Sequence, residues 1–324
     1  MQTKGPVLAG PFCLARTGQA ELRDASDAAR AGMALLTGGA TVIRHTLPVV
    51  AGDHSRFELL CVAPEEPWHR ALYWLPALGI SARNYLPLAE ALAARGICVV
   101  IHEWRGIGSS NLRASRHCNW GYREILQDDL PAAQDALRAR WPHATWCIGG
   151  HSLGGQMAML RAALQPAGYA GIVLVASGVP YWRQFRHAWL LAAAFVLAPC
   201  LVWLCGYLPG RRLGFGGREA RRLIADWART GRSGQYRVPG FAPDLEQALA
   251  ALRTPLLGLC ITDDWLGPMR SLRHLLDKAP LARRSMESIS VSAPETTSRP
   301  HFAWMQAPQA IAERSASWIT AQVD

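Results

Sequence analysis

The 324 residues contain no pair of cysteines at metal-knuckle spacing, no H-E-x-x-H, no Walker-type G-x-x-x-x-G-K-[ST] and no G-x-G-x-x-G after the first strand-like run. Each absence removes a class. Zinc knuckles, zincin proteases, P-loop nucleotide sites and dinucleotide cradles all need those spacings to place ligands or backbone donors. No cofactor and no metal are therefore expected. No internal repeat or low-complexity tract divides the chain. The opening stretch "MQTKGPVLAGPFCLARTGQAELRD" has no continuous apolar core of signal-peptide length, so a cytoplasmic location is expected. The eight cysteines, Cys13 among them, are scattered, and several fall in apolar runs, where a reduced thiol packs as a small hydrophobe.

Carboxylates are also scarce: 24 acidic residues face 34 basic ones, for a net charge of +10. The excess is local. Between Pro209 and Arg237 lie Arg211, Arg212, Arg218, Arg221, Arg222, Arg229, Arg232 and Arg237 against Glu219 and Asp226. That stretch suits an anionic group on a substrate, an anionic membrane face, or simply a solvated helix surface. No nucleic-acid partner is expected. Just before it, residues 188–208, "AWLLAAAFVLAPCLVWLCGYL", carry no charge and approach the span of about 20 residues that crosses a bilayer. Pro199 in mid-run favours two short helices with a break. A single crossing would also strand residues beyond 208 on the far side from everything before 188, so a hydrophobic helical lid is expected instead.

From about Thr41, short β-rich runs alternate with runs of helical period, the pattern of an α/β protein with a largely parallel sheet. "TVIRHTLPVV" and "RFELLCVA" read as paired strands, and "RALYWLP", "ICVVIHEW", "TWCIGG", "GIVLVASG" and "PLLGLCIT" as further ones. "NYLPLAEALAARG", "YREILQDDLPAAQDALRARW" and "HFAWMQAPQAIAERSASWITAQV" read as helices. The alternation stops at Val179 and resumes near residue 251. The expected division is a core of residues 1–178 and 251–324, with the first 40 or so peripheral, and a lid of residues 179–250.

Within that pattern, Gly150-His151-Ser152-Leu153-Gly154 fits G-x-S-x-G between a strand and a helix, the context of a nucleophile elbow. A serine forced onto a sharp turn exposes its hydroxyl. Side chains at Gly150 or Gly154 would collide with neighbouring backbone. The same turn aims the Leu153 N–H and the helix N-terminus at the position of a developing oxyanion.

Here the chain resembles the α/β-hydrolase superfamily, from about residue 41 onward. Three stretches add to the resemblance: "RGIGSSN" (105–111), "DDWLGP" (263–268) and "RPHFAW" (299–304). It implies an eight-stranded sheet with an inserted lid and a Ser-Asp-His triad in that chain order. "DDWLGP" is similar to the family's D-x-x-x-P acid loop. Asp263 and Asp264 both follow the strand, and the register, with Pro268 four residues on, favours Asp264. His301, between the last strand and the last helix, is the expected base. His151, His102, His45 and His274 are expected to be structural or surface residues. The chain departs from the family where many members carry His-Gly: "LPALGIS" has Leu78 before Gly79. Because the donor is a backbone N–H, the oxyanion hole is expected from Leu153 and Ile80.

A serine triad attacks esters, thioesters and amides alike, so the cover sets specificity. An apolar lid favours a hydrophobic acyl portion, and Trp189, Trp203 and Trp227 are expected either to line the pocket as aromatic contacts or to sit in the core. The sequence thus points to a serine hydrolase cleaving a small-molecule carboxylic ester through an acyl-enzyme. Acyl transfer by the same residues and a non-catalytic, membrane-associated protein of this fold are the alternatives. "GFGG" (214–217) reads as a turn.

Overall fold

Runs of Val, Ile and Leu bounded by Gly, Pro and Asp build the sheet on which the site rests. The computed structural model describes residues 33–37, 40–213, 216–291 and 300–323. Cys13, the opening stretch, Arg299 and the first half of "GFGG" lie outside them. The strands are β1 (Met33–Thr37), β2 (Ala40–Val50), β3 (Arg56–Pro64), β4 (Arg70–Leu75), β5 (Ile97–Ile101), β6 (Thr145–His151), β7 (Ile172–Val175), β8 (Tyr207–Pro209), β9 (Arg218–Ala220), β10 (Leu256–Ile261) and β11 (Arg284–Ile289).

Nine of them form one sheet in the order β1-β2-β3-β5-β4-β6-β7-β10-β11. That is one more than the eight expected, because β1 folds back on β2 as an antiparallel edge hairpin. From β5 to β11 the pairings are parallel. The central strands β5, β6, β7 and β10 are buried almost throughout, as unbroken apolar runs require when helices cover both faces of a sheet. The covering helices are α1 (Leu86–Ala93), α2 (Leu130–Arg140), α3 (Leu153–Leu164), α4 (Ala188–Cys205), α5 (Arg221–Ser233), α6 (Leu245–Ala251), α7 (Met269–Leu276) and α8 (Gln309–Val323).

Two expected helices are interrupted, both near proline. Ahead of Pro131 the chain winds as a π-helical turn over Ile125–Asp129 before α2 begins. The closing segment splits into a short turn of helix, Pro300–Ala303, and α8, with Pro308 at the join. Proline supplies no N–H to the preceding turn, so the chain re-registers at each.

The lid segment differs in the opposite sense. α4 runs unbroken through Pro199 for 18 residues. Pro199 leaves the carbonyl of Phe195 without its helical donor, and the Arg232 guanidinium, reaching over from α5, donates to that oxygen instead. At the far end Gly206, at φ 83°, closes the helix with its N–H on the Val202 carbonyl, and Arg116 donates to Leu204 O. α4 packs on α5, where Gly231 leaves room for the Phe195 ring.

Several arginines of the segment expected as a lid bond to the core or to a neighbour that does. Arg218 donates to Ala114 O, Arg222 to Asn119 O and the Glu124 carboxylate, and Arg229 to Asp226, whose carboxylate also accepts the Tyr122 N–H.

Candidate active site

Strand order creates the site. β4 leads through α1 to β5 on one side, and the chain then crosses back over β4 to lay down β6 on the other. The loops leaving the carboxyl ends of β4 and β6 therefore lie side by side, with Leu75 paired opposite Gly150, and such switch points are where open α/β sheets bind ligands.

Ser152 stands between β6 and α3 at φ 54°, ψ −117°, a conformation that non-glycine residues adopt only under constraint. Its N–H donates to Val175 O on β7, and its carbonyl accepts from Gln156 N and from Ser177 Oγ at 2.7 Å. A Cβ at Gly154 would run into the carbonyl oxygens of Leu75 and Pro76, and one at Gly150 into the backbone of Gly154. The elbow therefore tolerates no side chain at either flank.

Asp264 lies just past β10 and is buried, whereas Asp263, at φ 61°, is exposed. The Asp264 carboxylate accepts Leu266 N–H at 2.9 Å on Oδ1 and meets His301 Nδ1 at 2.6 Å on Oδ2. His301, from the Pro300–Ala303 turn, is 4% exposed and shares the lining of one cavity with Ser152. With Nδ1 held by the carboxylate, the other ring nitrogen is left for proton transfer.

The remaining histidines are set apart. His151 is buried behind His301, ring centroids 4.7 Å apart, and bonds Tyr85 Oη at 2.8 Å; burial and the neighbouring imidazole hold its pKa well below the usual histidine range. His102 bonds Tyr73 Oη, and burial drives its pKa down to about 3. His274 stacks on Tyr181, and burial lowers its pKa. Burial followed by the nearby Arg140 charge lowers that of His45.

Backbone donors reach the cavity differently from expectation. The Leu153 N–H sits at the first turn of α3, beside Ser152. Ile80 does not serve as its partner, since its N–H donates to Ala77 O at 3.1 Å, closing a turn, and Ile80 is absent from the cavity lining. The Ala77 N–H is taken by Tyr85 Oη at 2.9 Å. Leu78, between them, lines the cavity, and its N–H has no acceptor among the described residues. The turn is held from the lid side: at Gly79, φ 74°, a Cβ would run into the backbone of Gly216 and Gly217. Which amide of "PALGI" faces the serine depends on that turn, and no spacing in the sequence reports it.

The cavity measures about 410 Å³ and is walled chiefly by apolar groups, including Phe195, Leu201, Ile224, Trp227, Trp265 and Phe302. Of the three tryptophans expected there or in the core, only Trp227 lines it. Trp189 and Trp203 are 71% and 70% exposed, because α4 turns them away from the core. Its helical run is apolar on every side, so composition could not distinguish the inner face from the outer. Gln156 reaches the cavity from α3 and accepts a hydrogen bond from Tyr236 Oη at 3.2 Å. Near the mouth-side loop, Glu219 is buried against the Gly217 N–H, and burial raises its pKa to about 7. Among the described residues no cluster of His, Cys, Asp and Glu has the makings of a metal site.

Residues 68–226 match the family described as serine aminopeptidase, S33. None of the curated protein sequences matches the chain. Among solved structures, the esterase domain of a Rhodothermus marinus protein superposes with a TM-score of 0.55 at 15% identity, covering 85% of this chain and 97% of that one. The Paleococcus ferrophilus monoacylglycerol lipase gives 0.57 at 16% identity, over 82% of this chain and 100% of its own. A bacterial membrane phospholipase A gives 0.56 at 16% identity, over 94% and 90%. With the parallel sheet, the serine turn after β6 and these likenesses, the chain has the α/β-hydrolase fold of esterases and lipases, and its residues 68–226 match a family of serine hydrolases.

Proposed function

We propose that the protein hydrolyses a carboxylic ester with a hydrophobic acyl part. Ser152 Oγ attacks the ester carbonyl while the ring nitrogen of His301 not bonded to Asp264 takes its proton. The proton passes to the departing alkoxide, and the acyl-enzyme is then opened by water activated by the same imidazole. Asp264 fixes the tautomer and supports the imidazolium. The Leu153 and Leu78 N–H groups hold the oxyanion. The observation that carries this reading is the 2.6 Å contact between Asp264 and His301 beside a cavity that His301 shares with Ser152. The apolar walls support a hydrocarbon acyl chain over a peptide, and the esterase and lipase neighbours point the same way. The seven unpaired cysteines among the described residues support a reducing, cytoplasmic setting, and the lid is taken to face an anionic membrane surface.

The test is labelling of the native protein by a fluorophosphonate probe, followed by turnover of p-nitrophenyl esters of graded chain length. Labelling and turnover are expected in the wild type and in neither case in Ser152→Ala. Labelling that persists in Ser152→Ala overturns the assignment.

A further inference from the structure

The helix α4 has two apolar faces with different neighbours. Phe195 and Val202 are buried, and Leu191, Ala198 and Leu201 line the cavity. On the opposite side Trp189, Leu190, Val196, Leu197, Trp203 and Leu204 are each 48% to 71% exposed. At 3.6 residues per turn these six side chains share one stripe about 140° wide, and the two tryptophans stand about 21 Å apart along it. An apolar strip of that length, held out from a folded domain, calls for a partner.

A transmembrane crossing does not fit. The strands flanking the insertion, β7 and β10, are hydrogen-bonded neighbours, so the chain returns to the sheet it left and α4 has both ends on one side. The same strip fits a bilayer lying parallel to the helix axis. From residue 136 to 218 the chain has no Asp or Glu. Arg183 and Arg186 are exposed ahead of the N-terminal end of α4, and Arg116 and Arg212 are exposed near its C-terminal end. Cations at both ends of an apolar strip with tryptophans toward its ends match the headgroup and upper acyl layers of an anionic leaflet. The strip is also continuous with the cavity mouth, for Leu197 and Trp265 are exposed, at 64% and 55%, and both line the cavity.

We infer that α4 beds lengthwise into an anionic bilayer, its outer face among the acyl chains, and that the substrate is a lipid ester entering the cavity from the bilayer past Leu197 and Trp265. The docking rests on the surface alone; the substrate class rests on the ester-hydrolase reading of Ser152.

Two measurements separate them. Full-length Ser152→Ala is sedimented with vesicles of phosphatidylcholine, with and without about one third phosphatidylglycerol, and its tryptophan emission is followed against brominated acyl chains. Binding is expected on the anionic vesicles, weakening with salt, with emission quenched by bromine. W189D/W203D in the same background should bind at least tenfold more weakly. In the wild-type background W189D/W203D should keep its rate on a soluble short-chain ester and lose hydrolysis of vesicle lipid. Unchanged vesicle binding in W189D/W203D overturns the docking. So does a protein that ignores vesicles but forms a dimer that W189D/W203D dissociates, which would assign the strip to a second copy of the chain. Vesicle binding by a wild type that is inert on every ester, soluble or lipid, would keep the docking and overturn the substrate.

Discussion

Asp263 and Asp264 are adjacent in sequence and have the same titratable group, yet the loop turns only Asp264 inward to His301. Asp264→Asn leaves the imidazole in the wrong tautomer, and kcat on p-nitrophenyl butyrate should fall by about 10³- to 10⁴-fold with the circular-dichroism melt retained. Asp263→Asn, exposed at φ 61° where asparagine is tolerated, should stay within about twofold of wild type in the same assay. Gly79→Ala drives a methyl into the Gly216–Gly217 backbone and shifts the turn presenting the Leu78 amide. Its kcat should drop by about 10²-fold or more, the scale seen when one oxyanion donor is lost, and pre-steady-state bursts would locate the loss in acylation. At this level the motifs were informative because their spacing is local: G-x-S-x-G and D-x-x-x-P each fit within one turn of chain. The amides of the 77–80 turn left no such mark, since a backbone N–H carries no side-chain signature, and only the fold shows that the Ile80 N–H closes on Ala77 while Leu78 lines the cavity.

α4 survives its own proline through a partner 37 residues away in sequence. Arg232 supplies to the Phe195 carbonyl the hydrogen bond that Pro199 cannot. Arg232→Met should therefore lower stability by about 1–2 kcal/mol, the cost of leaving a sheltered carbonyl unsatisfied, read as a fall in the urea midpoint without change in slope. Pro199→Ala restores the helical donor, so the same arginine substitution in a Pro199→Ala background should cost measurably less. Equal costs in the two backgrounds would mean that the guanidinium contributes nothing through that carbonyl. Sequence periodicity placed the core strands and α1 well, because fully buried strands and amphipathic helices leave their mark on composition. It misjudged α4 and the segments at Pro131 and Pro308, where the outcome depends on what meets the proline: an arginine at Pro199, a π-helical turn ahead of Pro131, and a break in the helix at Pro308.

The inserted segment meets the sheet domain where Glu219 is buried beside the Gly217 N–H, opposite the Gly79 turn. Burial raises its pKa to about 7, above the value in an unfolded chain, so the folded state holds the proton more tightly. Its contribution to stability is present below the unfolded pKa and is lost as pH rises through about 7. Glu219→Gln keeps an acceptor for Gly217 without the charge. In urea unfolding it should match wild type in free energy at pH 4 or below and exceed it at pH 8, by about 2 kcal/mol or less. The cavity predicts a rise in kcat/KM of about tenfold or more from acetyl to octanoyl esters, as each buried methylene contributes up to about 0.8 kcal/mol. A flat profile would mean that the acyl chain does not occupy the apolar wall.

The chain's alternation of strand and helix and its three short motifs were enough to determine the α/β fold and its parallel sheet and to single out Ser152, Asp264 and His301 as candidates, because those signals are written within a few positions of one another. Only the tertiary structure decided that the Gly79 turn packs against Gly216 and Gly217, that Trp227 lines the cavity while Trp189 and Trp203 meet solvent, that Arg218, Arg222 and Arg232 bond to backbone carbonyls, and that α4 is continuous. Each of these depends on contacts between residues distant in sequence, and a helix apolar on every side has no period from which its wet face can be read.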